Sequence, residues 1–425
     1  MLPSAPMMDP SIPMSFVMSA GLVQVENSIA KSTIREGNQY VLVQNCFRHF
    51  DLDKVGTDDI HLSFFEMPGA FVFGPNKKVD TIQKMWRLAT SVFGIEKEKI
   101  WPTYFAGGSV SHNWLTGDGD TKDAWLATDL NPNQLVGLGV ENNYWVQGAG
   151  IDGLEIRKCG PNTELFFDRG SDIGCNQECN PGCACGRFIE FSNSLFISSE
   201  IDPEYNSITP LANPFTETVI GIERIAMILR NYESVFGIEE YRPILRTIDS
   251  HIFINDTEEK IINQSKYIIA DHFRALYNLI TNDAPPPGKD GRARIMRTLI
   301  RRIITRMLVL GIPPQDFLHT VARNWQRIIP LHLRYEWAGN RFEEYFHSEL
   351  HRYLQTIERG RRQIIRYLEA SEDNIISSDQ KLHLKKNLGL LPLLTSMLIH
   401  QSRPKPKYAT VFRSTGLGAI KVSSE

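Results

Sequence analysis

A short stretch near the amino terminus combines a cation and an aromatic ring at a spacing that suits nucleotide chemistry. The stretch NCFRHFDLDKVGTDDIHLSFFEMPGAFVFG predicts a strand, an acidic loop and a returning strand. Arg48 follows the first strand, and His61 and Phe65 lie on the return. An arginine offers a bidentate fork to a phosphate on which charge builds, and a phenylalanine offers a face to a purine. An ordinary hairpin with one surface arginine explains the same residues, so this stretch alone leaves both interpretations open.

A second stretch, TETVIGIERIAMILR at residues 216–230, predicts the start of an amphipathic helix at a G-I-E-R run. Its glycine, Gly221, permits close approach of a nucleotide, and Arg224 can stack on adenine and meet a terminal phosphate. Short runs of this type are common by chance. The specific signal is the order of the two stretches, with the run downstream of the Arg48 hairpin.

Four of the six cysteines lie in the stretch GCNQECNPGCACG. They are Cys175, Cys179, Cys183 and Cys185. Disulfides do not persist in the cytoplasm, and thiolates are soft ligands, so this density predicts a closed tetrahedral site for a structural Zn²⁺ ion. The spacing is not the paired C-x₂-C pattern of many zinc sites, so a reduced loop is the alternative.

The elements that position these residues change in character along the chain. Up to about residue 220, aromatic and β-branched runs such as YVLVQNCF and CGRFIEFSNSLFI favour a mainly antiparallel sheet. Beyond it, SKYIIADHFRALYNLI and RIMRTLIRRIITRMLVL have the helical period. We therefore predict an α+β domain at residues 1–240 with a Cys-rich insertion at 171–187, a helical domain at 241–400 and an extended tail at 401–425.

Composition and charge limit the class of protein. The 425 residues exceed what one core usually fills, and 42% hydrophobic with 22% charged residues is ordinary for a folded chain. We expect a cytoplasmic protein, because no apolar run approaches the roughly 20 residues of a membrane helix and the opening lacks the pattern of a secretory signal. A net charge of -3 gives no general attraction to nucleic acid, so a polyanion needs local basic faces.

The Arg48 hairpin and the G-I-E-R run resemble the second and third signature motifs of the class II aminoacyl-tRNA synthetases, in their alanyl family. Further family motifs follow in order over roughly residues 15 to 395. They resemble Cys46, Arg48, Asp53, Val55 and Gly56, the run 64–67, Phe73, Gly74, Trp145, the runs 159–164 and 190–193, Asp168, Gly170, and the run 358–360. By this resemblance Cys46 and Cys159 are core thiols.

The resemblance implies a class II antiparallel sheet flanked by helices, and activation of an amino acid by ATP and Mg²⁺. The implied catalytic residues are Arg48 and Arg224, and His61, Phe65, Glu66 and Glu223 join them in binding ATP. The implied amino-acid-binding residues are Trp145, Asn193, Leu195, Glu217 and Val219. A carboxylate substrate is already ionised at neutral pH, so the reaction needs positioning and charge stabilisation rather than a general base.

The amino-acid pocket departs from the family pattern at three positions. Glu217 resembles the aspartate that binds the substrate ammonium, Val219 replaces a glycine, and Leu195 resembles a valine. A carboxylate remains for the ammonium, whereas the added methylenes take space from the substrate side chain. One methylene is typically worth roughly 1 to 3 kcal/mol of discrimination. Alanine or another small amino acid is the expected substrate.

The resemblance also implies a tRNA acceptor stem as partner, but the two side chains that read its G·U pair are not found. Lys289 or Gly291 stands near the asparagine position, and Leu393 resembles the aspartate position. What remains is a predicted phosphate-binding face. It comprises Arg292, Arg294, Arg297, Arg301, Arg302 and Arg306 on one helix, with Arg359, Arg361, Arg362 and Arg366 on another. A solvated helix face with acidic partners is the alternative.

Three functional hypotheses follow. The first is transfer of the amino acid to the 3′ end of a tRNA, and the second is transfer to a carrier protein or small-molecule amine. The third is a non-catalytic paralogue that binds tRNA, which the retained Arg48, Phe65, Glu223 and Arg224 argue against. We expect the helix of the first class II motif to be missing or rebuilt. We also expect the editing domain and the carboxy-terminal domain to be absent, and mischarged product to escape correction in cis.

Overall fold

The computed structural model describes the greater part of the chain. It covers residues 1–9, 12, 14–18, 39–75, 77–148, 156–202, 204, 207–252, 258–324, 328–329, 335–371, 373 and 375–402. Residues 19–38 and nearly all of the predicted tail, at 403–425, lie outside the described residues.

Strands dominate the first half. The strands are β1 (Gln39–Phe47), β2 (Phe64–Phe73), β3 (Ile100–Phe105), β4 (Gly107–Val110), β5 (Asn113–Thr116), β6 (Val136–Leu138), β7 (Tyr144–Val146), β8 (Arg157–Asp168), β9 (Phe188–Asp202) and β10 (Ser207–Ile220). The helices among them are α1 (Lys78–Arg87), α2 (Gly119–Leu126) and α3 (Val140–Asn143). A π-helical turn, Leu88–Val92, continues α1.

Beyond Ile220 the regular elements of the described residues are helices. They are α4 (Ile222–Leu229), α5 (Arg242–Asp249), α6 (Glu259–Thr281), α7 (Gly291–Val309), α8 (Pro314–Arg323), α9 (Glu336–Glu369), α10 (Ser378–Leu388) and α11 (Pro392–Ser402). The change from strands to helices falls between Ile220 and Ile222, where the sequence predicted it. The prolines and glycine between α6 and α7 form the predicted loop. None of the described helices is long and apolar enough to cross a membrane.

The main sheet is antiparallel except at one edge. Its strand order is β1-β2-β10-β9-β8-β3-β6, with β7 also paired to β8, and only β3 and β6 run parallel. Strands β4 and β5 form a separate hairpin. The predicted α+β fold, an antiparallel sheet flanked by helices and followed by a helical part, is confirmed.

One hydrophobic core extends from the sheet into the helices. The buried Phe64 of β2 and Phe273 of α6 belong to the same cluster as Phe342 of α9, and the rings of Phe273 and Phe342 lie 4.9 Å apart. Polar contacts cross the same junction, because the backbone N–H of Ser63 donates to Oδ1 of Asp271 at 2.9 Å. The predicted domains therefore share a core across residue 240.

Candidate active site

The hairpin of β1 and β2 brings Arg48 onto the ring of Phe65. Cys46 pairs with Phe65 in the antiparallel register, and the chain leaves the sheet two residues later at Arg48. The guanidinium carbon of Arg48 lies 4.9 Å from the centroid of the Phe65 ring, and its Nε donates to the carbonyl of Met18 at 2.9 Å. The cation and the aromatic face that the sequence predicted therefore lie side by side.

His61 is held at the end of the loop between these strands. Oδ1 of Asp58 accepts the backbone N–H of His61 at 2.9 Å, and Oδ2 contacts Nδ1 of its ring. Partial burial would raise the pKa of Asp58, but the hydrogen bonds from His61 outweigh burial and hold this pKa below its ordinary value. The ionised Asp58 fixes the position of the imidazole.

The amino-acid set is brought together by strand register. Glu217 of β10 lies opposite Leu195 of β9, and Val219 lies opposite Asn193. Alternate residues of a strand point to one face of the sheet, so these four side chains share a face. Trp145 on β7 reaches the same space. Glu217 and Leu195 are buried.

Helix α4 presents Arg224 to the same face. Nη1 of Arg224 donates to the carbonyl of Glu190 at 2.7 Å and lies 3.2 Å from its Oε2. Its neighbour Glu223 is buried and accepts the backbone N–H of Glu66 and Nη1 of Arg274, the latter at 2.7 Å. Burial raises the pKa of Glu223, although Arg274 opposes this shift.

One cavity of about 200 Å³ collects these side chains. Every residue predicted to bind ATP or the amino acid lines it, with the exception of Glu66. Glu66 is the next residue after Phe65 on a strand, so its side chain leaves on the opposite face of the sheet. There it lies 3.5 Å from Nη2 of Arg274 and lines a neighbouring cavity. The geometry gives no support to direct contact of Glu66 with ATP.

Two carboxylates of the site were not predicted as site residues. Nδ2 of Asn193 donates to Oε1 of Glu164 at 3.0 Å and lies 3.5 Å from Oε1 of Glu190, and Asn162 also donates to Glu164 at 3.4 Å. Burial, and then the charge of Glu190, raise the pKa of Glu164 well above its ordinary value. Both glutamates lie in runs that resemble family motifs. The sequence signal that could have identified them is a pair of acidic residues close to asparagines on two predicted neighbouring strands.

The cysteine loop, residues 171–187, holds its thiol groups close together. The Sγ atoms of Cys175, Cys179 and Cys183 lie within 4.8 Å of one another, and those of Cys179 and Cys185 are 3.4 Å apart. Sulfur atoms around tetrahedral zinc lie about 3.8 Å apart, because each Zn–S bond is about 2.3 Å. The thiols of Cys175, Cys179 and Cys183 therefore fit this ion, and Cys185 lies beside Cys179. Cys46 and Cys159 are buried elsewhere, as expected of core thiols.

Arg169 ties the end of this loop to the Arg48 hairpin. Its Nη1 contacts Oδ2 of Asp59 at 3.1 Å and the carbonyl of Gly186 at 3.4 Å. Its Nη2 donates to the carbonyl of Glu233 at 3.1 Å. Arg169 thus connects the end of the cysteine loop to the loop that carries His61.

The arginines of α7 do not form one phosphate-binding face. Arg292 donates to the carbonyls of Asp9, Ile12 and Ser15, and Arg301 pairs with Glu349; Arg302 donates to His272 and Asp53, and Arg306 to Gln264 and Ser265. Helical geometry separates the six side chains around the axis, and the protein itself uses four of them. Arg294 is exposed and Arg297 half-buried. On α7 the predicted face reduces to these two.

Sequence comparison decides the family. Residues 1–407 match the description "tRNA synthetases class II (A)". The chain belongs to this family. The resemblance predicted from the two motifs is thereby confirmed.

The related proteins of this class II chain are named alanine–tRNA ligases. One from Alkaliphilus oremlandii is 28% identical over 369 residues, which is 86% of this chain and 40% of the relative. One from Caldicellulosiruptor saccharolyticus is 30% identical over 356 residues, which is 81% of this chain and 38% of the relative. The chain thus spans about 40% of the length of these relatives. A solved pyrrolysyl-tRNA synthetase from Desulfitobacterium hafniense matches 52% of each chain at 12% identity and a TM-score of 0.27, a likeness too small to carry weight.

Proposed function

We propose that this protein activates a small amino acid, with alanine as the first candidate, by forming its adenylate from ATP. It then transfers the aminoacyl group to the 3′ end of a tRNA. The observation that carries the proposal is the single cavity lined by Arg48, Phe65, Arg224 and Glu217. It combines cations for phosphates, a ring for adenine and a carboxylate for an ammonium. Family membership supports the same activity.

The nucleotide half of the cavity would act through charge. In the reaction the substrate carboxylate attacks the α-phosphorus of ATP, and pyrophosphate leaves. Arg48 would neutralise the α-phosphate and Arg224 the terminal phosphates, while the ring of Phe65 stacks on adenine. Mg²⁺ would be held by the phosphates with Glu190, a hard oxygen ligand beside Arg224, and would supply further charge neutralisation. No side chain has to remove a proton from the attacking carboxylate.

The amino-acid half would select a small substrate. Glu217 would bind the ammonium group, and Asn193 would orient it from the neighbouring strand. The apolar walls contributed by Leu195 and Val219 leave little room for a side chain, and Trp145 also lines the cavity. A buried carboxylate among such walls favours a cationic partner, which the ammonium supplies.

The cysteine loop would bind one Zn²⁺ through the four thiolates. All four coordination positions would then be filled, so the ion would stabilise the loop and take no part in the chemistry. Reduced thiols of this kind agree with the cytoplasmic location that we propose.

The acceptor is proposed to be tRNA on the strength of the family. Of the predicted phosphate contacts on α7, Arg294 and Arg297 remain available. The positions at which the family reads the G·U pair are occupied here by Lys289 or Gly291 and by Leu393. No observation favours transfer to a carrier protein or an amine. A non-catalytic role would not explain why the predicted nucleotide-binding and amino-acid-binding residues line one cavity.

The decisive experiment is amino-acid-dependent exchange of labelled pyrophosphate into ATP across all twenty amino acids. We expect alanine or another small amino acid to support exchange and large amino acids to fail. If none of the twenty amino acids supports exchange, the proposed adenylate formation is refuted. Subsequent charging of tRNA tests the second step separately.

A further inference from the structure

A second cavity lies between the main sheet and helix α1 with the π-helical turn that continues it. Its volume is about 160 Å³. Most of its walls are apolar: the sheet contributes Ala70, Val72, Leu165, Phe191 and Ile220, and the helical side contributes Met85, Leu88, Ala89 and Phe93. We call it the rear cavity.

Strand alternation separates the rear cavity from the active-site cavity. Thr216 and Thr218 of β10 line the rear cavity, whereas Glu217, between them, lines the active-site cavity. Alternate residues of a strand point to opposite faces of the sheet, so the two cavities lie on opposite faces of β10. A molecule in the rear cavity would therefore touch the strand that carries Glu217 without entering the active site.

The π-helical turn is an unusual wall for this cavity. The N–H of Phe93 donates to the carbonyl of Leu88 at 2.9 Å, which spans five residues in place of the four of an α-helix. Such turns are rare and frequently occur at functional sites. Leu88 and Phe93 are only half-buried, so apolar surface of the turn stays uncovered beside the cavity. Burial of that surface by an apolar ligand is favourable.

The first turns of α1 place charged side chains at the mouth of the cavity. Lys77, Asp80 and Lys84 line it, and all three are exposed. Nζ of Lys84 lies 2.7 Å from Oδ2 of Asp80. Lys77 has no ion pair in the described part of the chain. Two ammonium groups and one carboxylate leave one positive charge at the edge of an apolar cavity.

We propose that the rear cavity binds a small molecule with an apolar body and a single carboxylate. A dry cavity of about 150 Å³ is enough to bind benzene, so the rear cavity admits a phenyl ring or a short chain. The body covers Leu88 and Phe93, and the carboxylate meets Lys77 and Lys84 at the mouth. A ligand with an ammonium group would instead bring a charge of the same sign to these lysines.

The test is calorimetric titration of the full chain with phenylacetate, phenylethanol and phenylethylamine. These probes share an aromatic body and differ in the charge of the polar end. We expect phenylacetate to bind at least about 5-fold more tightly than phenylethanol, and phenylethylamine to bind most weakly. Equal affinities for the three probes, or binding of none, would overturn the proposal.

Exchange of the two lysines tests the mouth of the cavity. Lys77→Gln combined with Lys84→Gln should weaken phenylacetate binding by at least about 5-fold and leave phenylethanol binding unchanged. Both side chains are exposed, so the variant should fold normally. Lys99→Gln is the matched control, since Lys99 is also an exposed lysine near a carboxylate, that of Glu96. Native phenylacetate affinity in the double variant would contradict the assignment.

Filling the cavity tests its apolar part. Ala70→Leu adds three carbon atoms to the sheet side of the cavity, where Ala70 is half-buried. This variant should lose the binding of both phenylacetate and phenylethanol, and a native thermal midpoint would show that it has folded. Native affinity for both probes would show that they bind elsewhere. The lysine variants supply the answer if Ala70→Leu does not fold.

The active-site cavity also offers an aromatic ring and cations, so the two sites have to be told apart. Arg48→Ala combined with Arg224→Ala removes both cations from the active-site cavity and should retain the lysine-dependent binding of phenylacetate. Loss of that binding would place the probe in the active site and overturn the proposal. Failure of amino-acid-dependent exchange with lysine-dependent binding intact would reject the proposed function alone.

Discussion

Nη1 of Arg274 lies 2.7 Å from Oε1 of Glu223, and this ion pair joins the helical half of the chain to the helix that presents Arg224. Both oxygens of Glu223 also lie 3.2 Å from the backbone nitrogen of Glu66, beside Phe65. One buried carboxylate thus fixes α4 against the hairpin, and an arginine of α6 holds that carboxylate. The helical half therefore helps to hold the wall of the cavity for which we propose ATP binding.

The first prediction concerns this buried pair. Arg274→Met should lower the free energy of unfolding by about 3–5 kcal/mol, because it leaves the buried Glu223 without its cation. Adding Glu223→Gln to that variant should cost little more, since the amide keeps an acceptor for the N–H of Glu66. Urea denaturation of the single and double variants measures both quantities.

The matched control is Arg341→Met, which breaks the exposed pair with Asp283. It should cost less than about 1 kcal/mol. Equal losses for Arg274→Met and Arg341→Met would show that the buried pair has no special role.

The second prediction concerns the two arginines that we propose to be catalytic. Arg48→Ala and Arg224→Ala should each reduce pyrophosphate exchange by at least about 100-fold, since each removes a charge-assisted contact to the nucleotide. Arg361→Ala, an exposed arginine paired with Glu358, serves as the control for a lost charge. Native exchange rates in either active-site variant would invalidate the assignment.

The third prediction concerns pH and Glu164. Its pKa is raised in the folded protein, so the folded state holds a proton that the unfolded state has already lost between the two pKa values. Stability should therefore fall as pH rises through this window. Glu164→Gln keeps an acceptor for Asn162 and Asn193 but cannot ionise, so it should flatten this part of the profile.

Denaturant unfolding from pH 4 to pH 8 measures the effect. The exposed Glu344→Gln should leave the profile unchanged. Parallel profiles for the native protein and Glu164→Gln would mean that Glu164 titrates normally.

The fourth prediction concerns the cysteine loop. Metal analysis should find about one zinc per chain, and serine at both Cys179 and Cys183 should abolish it, because two thiolates hold the ion too weakly. Cys159→Ala lies outside the cluster and should retain the metal. If the purified native protein contains no metal, the alternative of a reduced, metal-free loop is supported instead.

The fifth prediction concerns the tRNA stem. Exchange of G·U for G·C in an alanine acceptor stem should hardly change aminoacylation, because Lys289 or Gly291, and Leu393, do not reproduce the asparagine and aspartate with which the family reads that pair. Side-by-side charging of the two stems is the measurement. A strong preference for G·U would show that these positions are misaligned.

Much of the fold followed from local pattern. The change from aromatic and β-branched runs to helical periods near residue 220 is a property of neighbouring residues, and the structure places it between Ile220 and Ile222. The cavity residues followed from motif resemblance, and the strand pairing of Glu217 with Leu195 shows why they meet.

The sequence could not predict to which face an individual charged side chain points, or with which residues it pairs. Glu66 was grouped with Phe65, yet strand alternation turns its side chain to the other face. The arginines of α7 were predicted to form one basic surface. In the folded protein several of them instead bind other parts of the chain, as Arg301 does in its ion pair with Glu349. The raised pKa of Glu164 depends on burial and on Glu190, and neither is visible until β8 and β9 are paired.

The shared core across residue 240 has a consequence for the ancestry of such chains. When two parts of a protein bury their large side chains in one another, neither part can be gained or lost by recombination without exposing the other. The rings of Phe64, Phe273 and Phe342 make the sheet and the helices one packing unit. Novelty in this lineage should therefore accumulate in surface loops, such as the cysteine loop, which can be inserted or exchanged without opening that core.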